Sequence, residues 1–283
     1  MRMRNVTIVA MFGIVFGSVA AATSSAEPAP GSTYLALGDS LAASYQPSGD
    51  TQSGYAEQVL QLEQVRLPDL RLAKLACPGE RTSTMDVPKK RCPYAEGTQL
   101  AQALAVLERR DVAFVTLQIG SNDLFRCFGF RDVAFDQTCV DALLPKISAR
   151  LTSIVVTLRG AAGPDVPIVG ANYYDPLLAA WTIPGLDHDA VMAIADVWTS
   201  FNDMLEQTYA ALGVPVADVE AAFSATDFDT VVHVRGVGDV PLNVARTCQW
   251  TYACSESFDP HPNTIGYAAM TRAWESAIAE PSP

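Results

Sequence analysis

The chain has 283 residues, 49% of them hydrophobic, with 19 Lys and Arg against 31 Asp and Glu and a formal net charge of −12. That length fits one large α/β domain or two small ones, and the hydrophobic share excludes general disorder. The acidic excess argues against a protein that tracks nucleic-acid phosphates, and it gives no attraction to an anionic membrane surface.

The first segment carries Arg2 and Arg4, then an uncharged apolar run from Val6 to Ala22. Small residues at Ala20-Ala21-Ala22 and Ser24-Ser25-Ala26 offer two cleavage sites. This is the pattern of a secretory signal peptide over residues 1–26, leaving a catalytic-size domain over 27–283 and an extracellular product. The alternative is an uncleaved membrane anchor, but about 17 apolar residues lie at the short limit for a span, and no stable anchor is expected after cleavage. Residues 27–32 are rich in Pro, Ala, Gly and Ser and read as a linker.

Apolar runs and helical patterns then alternate. Strands are expected at Thr33–Leu37, Leu70–Leu75, Val112–Ile119, Val166–Gly170 and Val214–Val219. Helices are expected at Tyr55–Val65, Thr98–Arg109, Leu143–Leu158, Val191–Leu212 and Thr264–Ala279, where apolar residues recur at helical spacing. Residues 220–257 show no clear periodicity and read as a long loop. Strands alternating with helices imply one three-layer α/β/α domain with a parallel sheet of about five strands.

Six cysteines allow 15 connectivities. Their spacing suggests three local clips, Cys77–Cys92, Cys127–Cys139 and Cys248–Cys254, which suit an oxidising compartment. A zinc site is the weaker reading, because no CxxC pair occurs and no histidine lies near the first four cysteines. No metal or organic cofactor is implied, and no DxDxDG-type calcium loop is present.

In a parallel sheet, functional residues gather where strands end. Three such places carry reactive side chains. Gly38-Asp39-Ser40-Leu41 follows the first strand, where Gly38 permits a tight backbone and Ser40 either exposes its hydroxyl or caps a helix. Position 42 is Ala, so the G-x-S-x-G elbow of ordinary α/β-hydrolases is absent. Gly120-Ser121-Asn122-Asp123 follows the third strand, and the Asn122 amide is a candidate donor to a developing oxyanion. Asp259-Pro260-His261-Pro262-Asn263 precedes the last helix, with prolines stiffening the backbone on both sides of a candidate general base. Of the three histidines, His188 and His233 have no comparable setting.

Together, and in this order, these segments resemble the SGNH (GDSL-type) serine hydrolases. The resemblance runs from Gly38 to Gly266, with Cys77-Pro78-Gly79-Glu80 matching the family's second block. The surroundings look most like secreted actinobacterial esterases and lipases, whose three-disulfide pattern fits the cysteines here. The resemblance implies a flavodoxin-like fold with Ser40 as nucleophile and His261 as base. It also implies an oxyanion hole made by the Ser40 and Gly79 N–H groups and the Asn122 amide. One position departs from the commoner D-x-x-H pattern. Phe258 stands three residues before His261, and Asp259 stands two before. In an extended segment, residues i and i+2 point the same way, so Asp259 is the expected third member, with a main-chain carbonyl as the alternative.

Asn172-Tyr173-Tyr174-Asp175-Pro176 leaves the fourth strand. Tyr173 and Trp181 are candidate substrate contacts. Leu177, Leu178 and Ile183 are candidate walls of an acyl pocket, joined by Phe125, Phe128 and Phe130. The expected function is a secreted carboxylic ester hydrolase, working as a monomer on lipid or short-chain acyl esters. A carbohydrate O-acetylesterase or thioesterase is the enzymatic alternative. A non-catalytic envelope binding protein is the alternative of a different class.

Overall fold

The structure, a computed structural model, describes residues 32–129, 133–256 and 258–279. The expected signal peptide, most of the expected linker and Phe130 lie outside the described residues.

Five strands form one parallel sheet: β1 (Thr33–Gly38), β2 (Arg71–Lys74), β3 (Val112–Gln118), β4 (Ile168–Ala171) and β5 (Val216–Ala217). Their order across the sheet is β2-β1-β3-β4-β5. Every residue of β1 and β4 is buried, as expected of strands covered on both faces. Helices α1 (Tyr55–Glu63), α2 (Gln99–Arg109), α3 (Gln137–Ala162) and α4 (His188–Ala210) follow in chain order. The α2, α3 and α4 helices pack side by side in one layer, while α1 packs against the closing helix α6 (Thr264–Ala279) in the other. The expected three-layer α/β/α architecture is the one observed.

Local chemistry sets several boundaries. The Thr98 hydroxyl accepts the Ala101 N–H at 3.1 Å and starts α2. The Asp136 carboxylate accepts the Cys139 N–H at 3.1 Å and starts α3 six residues before the apolar periodicity begins at Leu143. The helix carries Pro145 within it.

Residues 220–257 correct the expectation of a long loop. They hold an antiparallel hairpin, β6 (Val231–Val234) with β7 (Gly238–Pro241), followed by α5 (Leu242–Trp250). The strands are four residues each, and β7 contains Gly, Asp and Pro, so no sustained alternation marks them. Their inner residues, Val234 and Val240, join Leu178, Val191 and Val244 in a second, smaller apolar cluster beside the main core.

All three expected disulfides are present, and no cysteine among the described residues is free. Their sequence separations are 15, 12 and 6 residues, so each closes a short loop. Among the described residues, no helix is long and apolar enough to cross a membrane.

Candidate active site

The order β2-β1-β3 reverses the direction of sheet growth between β1 and β3, and this is where open α/β sheets place their ligands. Ser40 follows β1, and Asn122 follows β3. Gly38 pairs with Gln118 of β3 at φ +129°, and a Cβ there would sit 1.9 Å from the Gln118 carbonyl oxygen. Only glycine fits. The buried Gln99 side chain holds that glycine from both sides. Its Oε1 accepts the Gly38 N–H at 2.7 Å, and its Nε2 donates to the Gly38 carbonyl at 3.0 Å.

Asp39, the neighbour of Ser40, is fully buried. Its carboxyl accepts the Leu41 N–H at 3.0 Å, the Ser121 hydroxyl at 3.1 Å and the Tyr173 hydroxyl at 2.8 Å. It therefore joins the turn after β1 to the segments after β3 and β4. Burial pushes its pKa up to about 6, against the three donors that favour the ionised form.

The segments carrying Gly79 and Asn122 are tied to each other. Asn122 Nδ2 donates to the Glu80 carbonyl at 3.0 Å, and the Asp123 carboxylate accepts the Thr82 N–H at 2.7 Å. Glu80 is itself buried against Lys89 Nζ at 2.8 Å, and Lys89 also donates to the Gly79 carbonyl. Gly79 adopts φ +78°. Among the described residues, no hydrogen bond engages the N–H of Ser40 or of Gly79.

On the other wall, His261 Nδ1 lies 2.7 Å from Asp259 Oδ1, which also accepts the His261 backbone N–H at 2.9 Å. A carboxylate only accepts, so the pairing places the ring proton on Nδ1 and leaves Nε2 as the lone-pair nitrogen. The D-x-H spacing thus brings acid and imidazole together through a tight local turn. Burial lowers the His261 pKa, Asp259 raises it in part, and the nearby Arg91 lowers it further, so the imidazole is held below its usual range. The Tyr174 hydroxyl donates to the Pro260 carbonyl at 2.6 Å and fixes the loop from below.

Ser40, Ser121, Asn122, Tyr173, Tyr174 and His261 line one pocket of about 370 Å³. Through Phe125, Pro176 and Pro260 it adjoins an apolar cavity of about 400 Å³. Leu177, Ile183, Phe125 and Phe128 line that cavity, as the sequence suggests. Two expected contacts lie elsewhere. Leu178 is buried in the smaller cluster, and Trp181 stacks on His188 with ring centroids 3.8 Å apart, outside the lining of both cavities. His233 pairs with Asp239 at 2.8 Å on the exposed hairpin. Sequence reasoning missed Gln99, which no local pattern singles out, and also Phe258. Phe258 lines the apolar cavity at φ +47° and is 68% exposed.

Among the described residues, no cluster of His, Cys, Asp and Glu is arranged to hold a metal ion. The arrangement gathers a serine hydroxyl, an imidazole hydrogen-bonded to a carboxylate, and an asparagine amide around one cavity. That set is suited to acyl transfer.

Solved structures share the fold. An extracellular lipase from Streptomyces rimosus superposes with a TM-score of 0.56 at 20% identity, covering 87% of this chain and 99% of that one. An acetylxylan esterase from Geobacillus stearothermophilus gives 0.54 at 17% identity, covering 89% and 95%. A phospholipase A1 from Streptomyces albidoflavus gives 0.51 at 20% identity, covering 87% and 99%. At such identities the likeness establishes the fold. No curated protein matches the sequence. The GDSL-like lipase/acylhydrolase family matches residues 36–269, a span that runs from β1 into α6 and takes in every segment of the site, and the chain belongs to that family.

Proposed function

We propose that the protein is a secreted serine carboxylic ester hydrolase of the actinobacterial esterase and lipase type, acting as a monomer on esters with an extended acyl chain. The observation that carries this reading is the junction of two spaces. The pocket shared by Ser40, Asn122 and His261 adjoins, across Phe125, Pro176 and Pro260, an apolar cavity of about 400 Å³, a size typical of small-molecule sites.

In this mechanism, Ser40 Oγ attacks the ester carbonyl carbon while His261 Nε2 takes its proton. The carbonyl oxygen becomes an oxyanion, stabilised by the N–H groups of Ser40 and Gly79 and by the Asn122 amide proton that Glu80 does not use. Asp259 stabilises the imidazolium. Collapse of the tetrahedral adduct breaks the bond to the alcohol oxygen, and His261 gives that oxygen its proton. Water then attacks the acyl-enzyme by the same proton route in reverse and releases the carboxylic acid. One preorganised oxyanion donor contributes about 3–4 kcal/mol to the transition state.

The cavity separates the substrate readings. An O-acetylesterase needs room for two carbons and gains nothing from a space lined by Phe125, Phe128, Leu177 and Ile183. Export over residues 1–26 is supported by the signal pattern and by the disulfides, which persist in oxidising compartments. Rates on p-nitrophenyl acetate, butyrate, octanoate and palmitate test the substrate class, with kcat/KM expected to rise beyond acetate. A steep fall beyond acetate would overturn the extended-acyl reading. Fluorophosphonate labelling tests the nucleophile. Ser40→Ala should abolish both labelling and turnover, and an unlabelled wild-type protein would leave the binding-protein reading standing. N-terminal sequencing of the exported protein is expected to begin at residue 23 or 27.

A further inference from the structure

Tyr45 is joined to both halves of the site. Its backbone N–H donates to the Ser40 carbonyl at 2.9 Å, closing the turn that presents the nucleophile. Its own carbonyl accepts the Tyr267 hydroxyl at 2.8 Å, which anchors it to the first turn of α6, just beyond the histidine loop. The ring lies 4.6 Å from the His261 imidazole, centroid to centroid, tilted by 60°. The Arg91 guanidinium sits over the same ring at 5.1 Å, a cation–π distance. The neighbouring Gln46 amide donates to the Pro262 carbonyl at 3.3 Å, so two successive residues reach the histidine loop.

We propose that Tyr45, with Arg91 stacked over its ring, is a positioning residue that registers the His261 imidazole against Ser40. The inference rests on the Ser40–His261 reading above and adds a group that touches neither the substrate nor the reacting atoms.

Asp259 fixes Nδ1 but leaves the ring free to pivot about that hydrogen bond. A tilted aromatic wall packed beside the imidazole restricts that pivot, and a wall tied to the nucleophile's own turn keeps the spacing of base and nucleophile constant. Small errors in that spacing are amplified in the rate, because proton transfer requires hydrogen-bond reach. Arg91 holds the wall from a loop closed by Cys77–Cys92. Its charge also opposes protonation of the imidazole. The other charged group bearing on the ring is Asp259, which favours the charged form; the Tyr174 and Tyr267 phenols, hydrogen-bonded to the Pro260 and Tyr45 carbonyls, are kept neutral by burial.

The test compares Tyr45→Phe, Tyr45→Leu and Arg91→Gln with wild type, using kcat, KM, the pH profile of kcat/KM and the rate of fluorophosphonate labelling. Tyr45→Leu is expected to lower kcat and the labelling rate by about tenfold or more, with KM within about threefold. Tyr45→Phe keeps the ring and is expected to restore both to within about twofold. Arg91→Gln is expected to move the acid limb of the profile to higher pH. The proposal is overturned if Tyr45→Leu labels at the wild-type rate, if its loss lies in KM alone, or if Tyr45→Phe is as impaired as Tyr45→Leu. Should Tyr45→Leu fail to fold, the Phe variant and the limb shift in Arg91→Gln still decide. Failure of wild type itself to label defeats the serine mechanism instead, so the two failures are distinguishable.

Discussion

Ser40 and His261 are held in different ways. Ser40 stands on the end of a fully buried strand, its turn clamped by Gln99 at Gly38 and by the three donors gathered on Asp39. His261 stands on an irregular segment after α5. That segment is held by side-chain contacts from Tyr174, Tyr45 and Asp259, by the Tyr252 N–H on the His261 carbonyl, and by the Cys248–Cys254 bridge. The place of Ser40 is therefore a property of the sheet, and the place of His261 is a property of a few contacts. Damage to the first half should appear as lost stability, and damage to the second as lost turnover.

Asp259→Asn should give the largest effect and the cleanest break in that division. An amide Nδ2–H facing the ring in place of the carboxylate favours the tautomer with the proton on Nε2, the wrong nitrogen for a base. The kcat is expected to fall by roughly 10²–10⁴-fold, with the melting temperature nearly unchanged. Near-full kcat would remove Asp259 from the mechanism. Gln99→Leu should do the opposite. It strands the buried N–H of Gly38, worth about 1–3 kcal/mol when unsatisfied, and leaves the Gly38 carbonyl with the Cys77 N–H as its partner. The urea midpoint is expected to drop, while the kcat of the folded fraction stays within a few-fold. A large fall in kcat at an unchanged midpoint would show that the strand end is not what fixes Ser40.

Much of this division was legible in the sequence. Ser40, Asn122 and His261 each follow a recognisable strand end or precede a recognisable helix, so local patterns located them. The five sheet strands were legible as apolar runs for the same reason. Gln99 and Tyr45 were not. Each acts across tens or hundreds of positions, Gln99 on Gly38 and Tyr45 between Ser40 and His261, and no periodicity records such a meeting. Trp181 shows the converse. Its neighbourhood is apolar, but composition does not say which of two apolar clusters a side chain enters, and it entered the one away from the pocket. The hairpin β6–β7 escaped because its strands are too short to show alternation.

Removing the Cys248–Cys254 bridge sharpens the comparison from the histidine side. In the chain-entropy view a loop this short contributes about 2 kcal/mol. The double Cys→Ser variant is expected to lose that stability and to lower kcat as well, because the bridge ties the helix Leu242–Trp250 to the segment that runs on to Asp259 and His261. In wild type, the acid limb of kcat/KM should fall below pH 6.5, since burial and Arg91 keep the imidazole uncharged until the medium is more acidic. An acid limb at or above 6.5 would mean that solvent reaches the ring.

The smallest effect concerns Asp175, where the chain leaves β4 toward the apolar cavity. Its carboxyl is buried, with one oxygen accepting the Leu177 N–H at 2.8 Å and the other without a partner. Its main-chain carbonyl accepts the Thr247 hydroxyl at 3.3 Å, on the helix that leads to the histidine loop. Burial first, and the charge of Glu220 after it, raise the Asp175 pKa to about 8. The folded state therefore keeps a proton that the unfolded chain releases near pH 4. Its contribution to stability is fully present below that value and is lost as pH rises from about 4 to about 8, levelling off above. Asp175→Asn keeps an oxygen for the Leu177 N–H and has no proton to lose. Its melting temperature relative to wild type should climb through that interval and then stay constant, while kcat at pH 7 changes little. A difference independent of pH would show that the carboxyl is already ionised in the fold and that some other group answers its unpartnered oxygen.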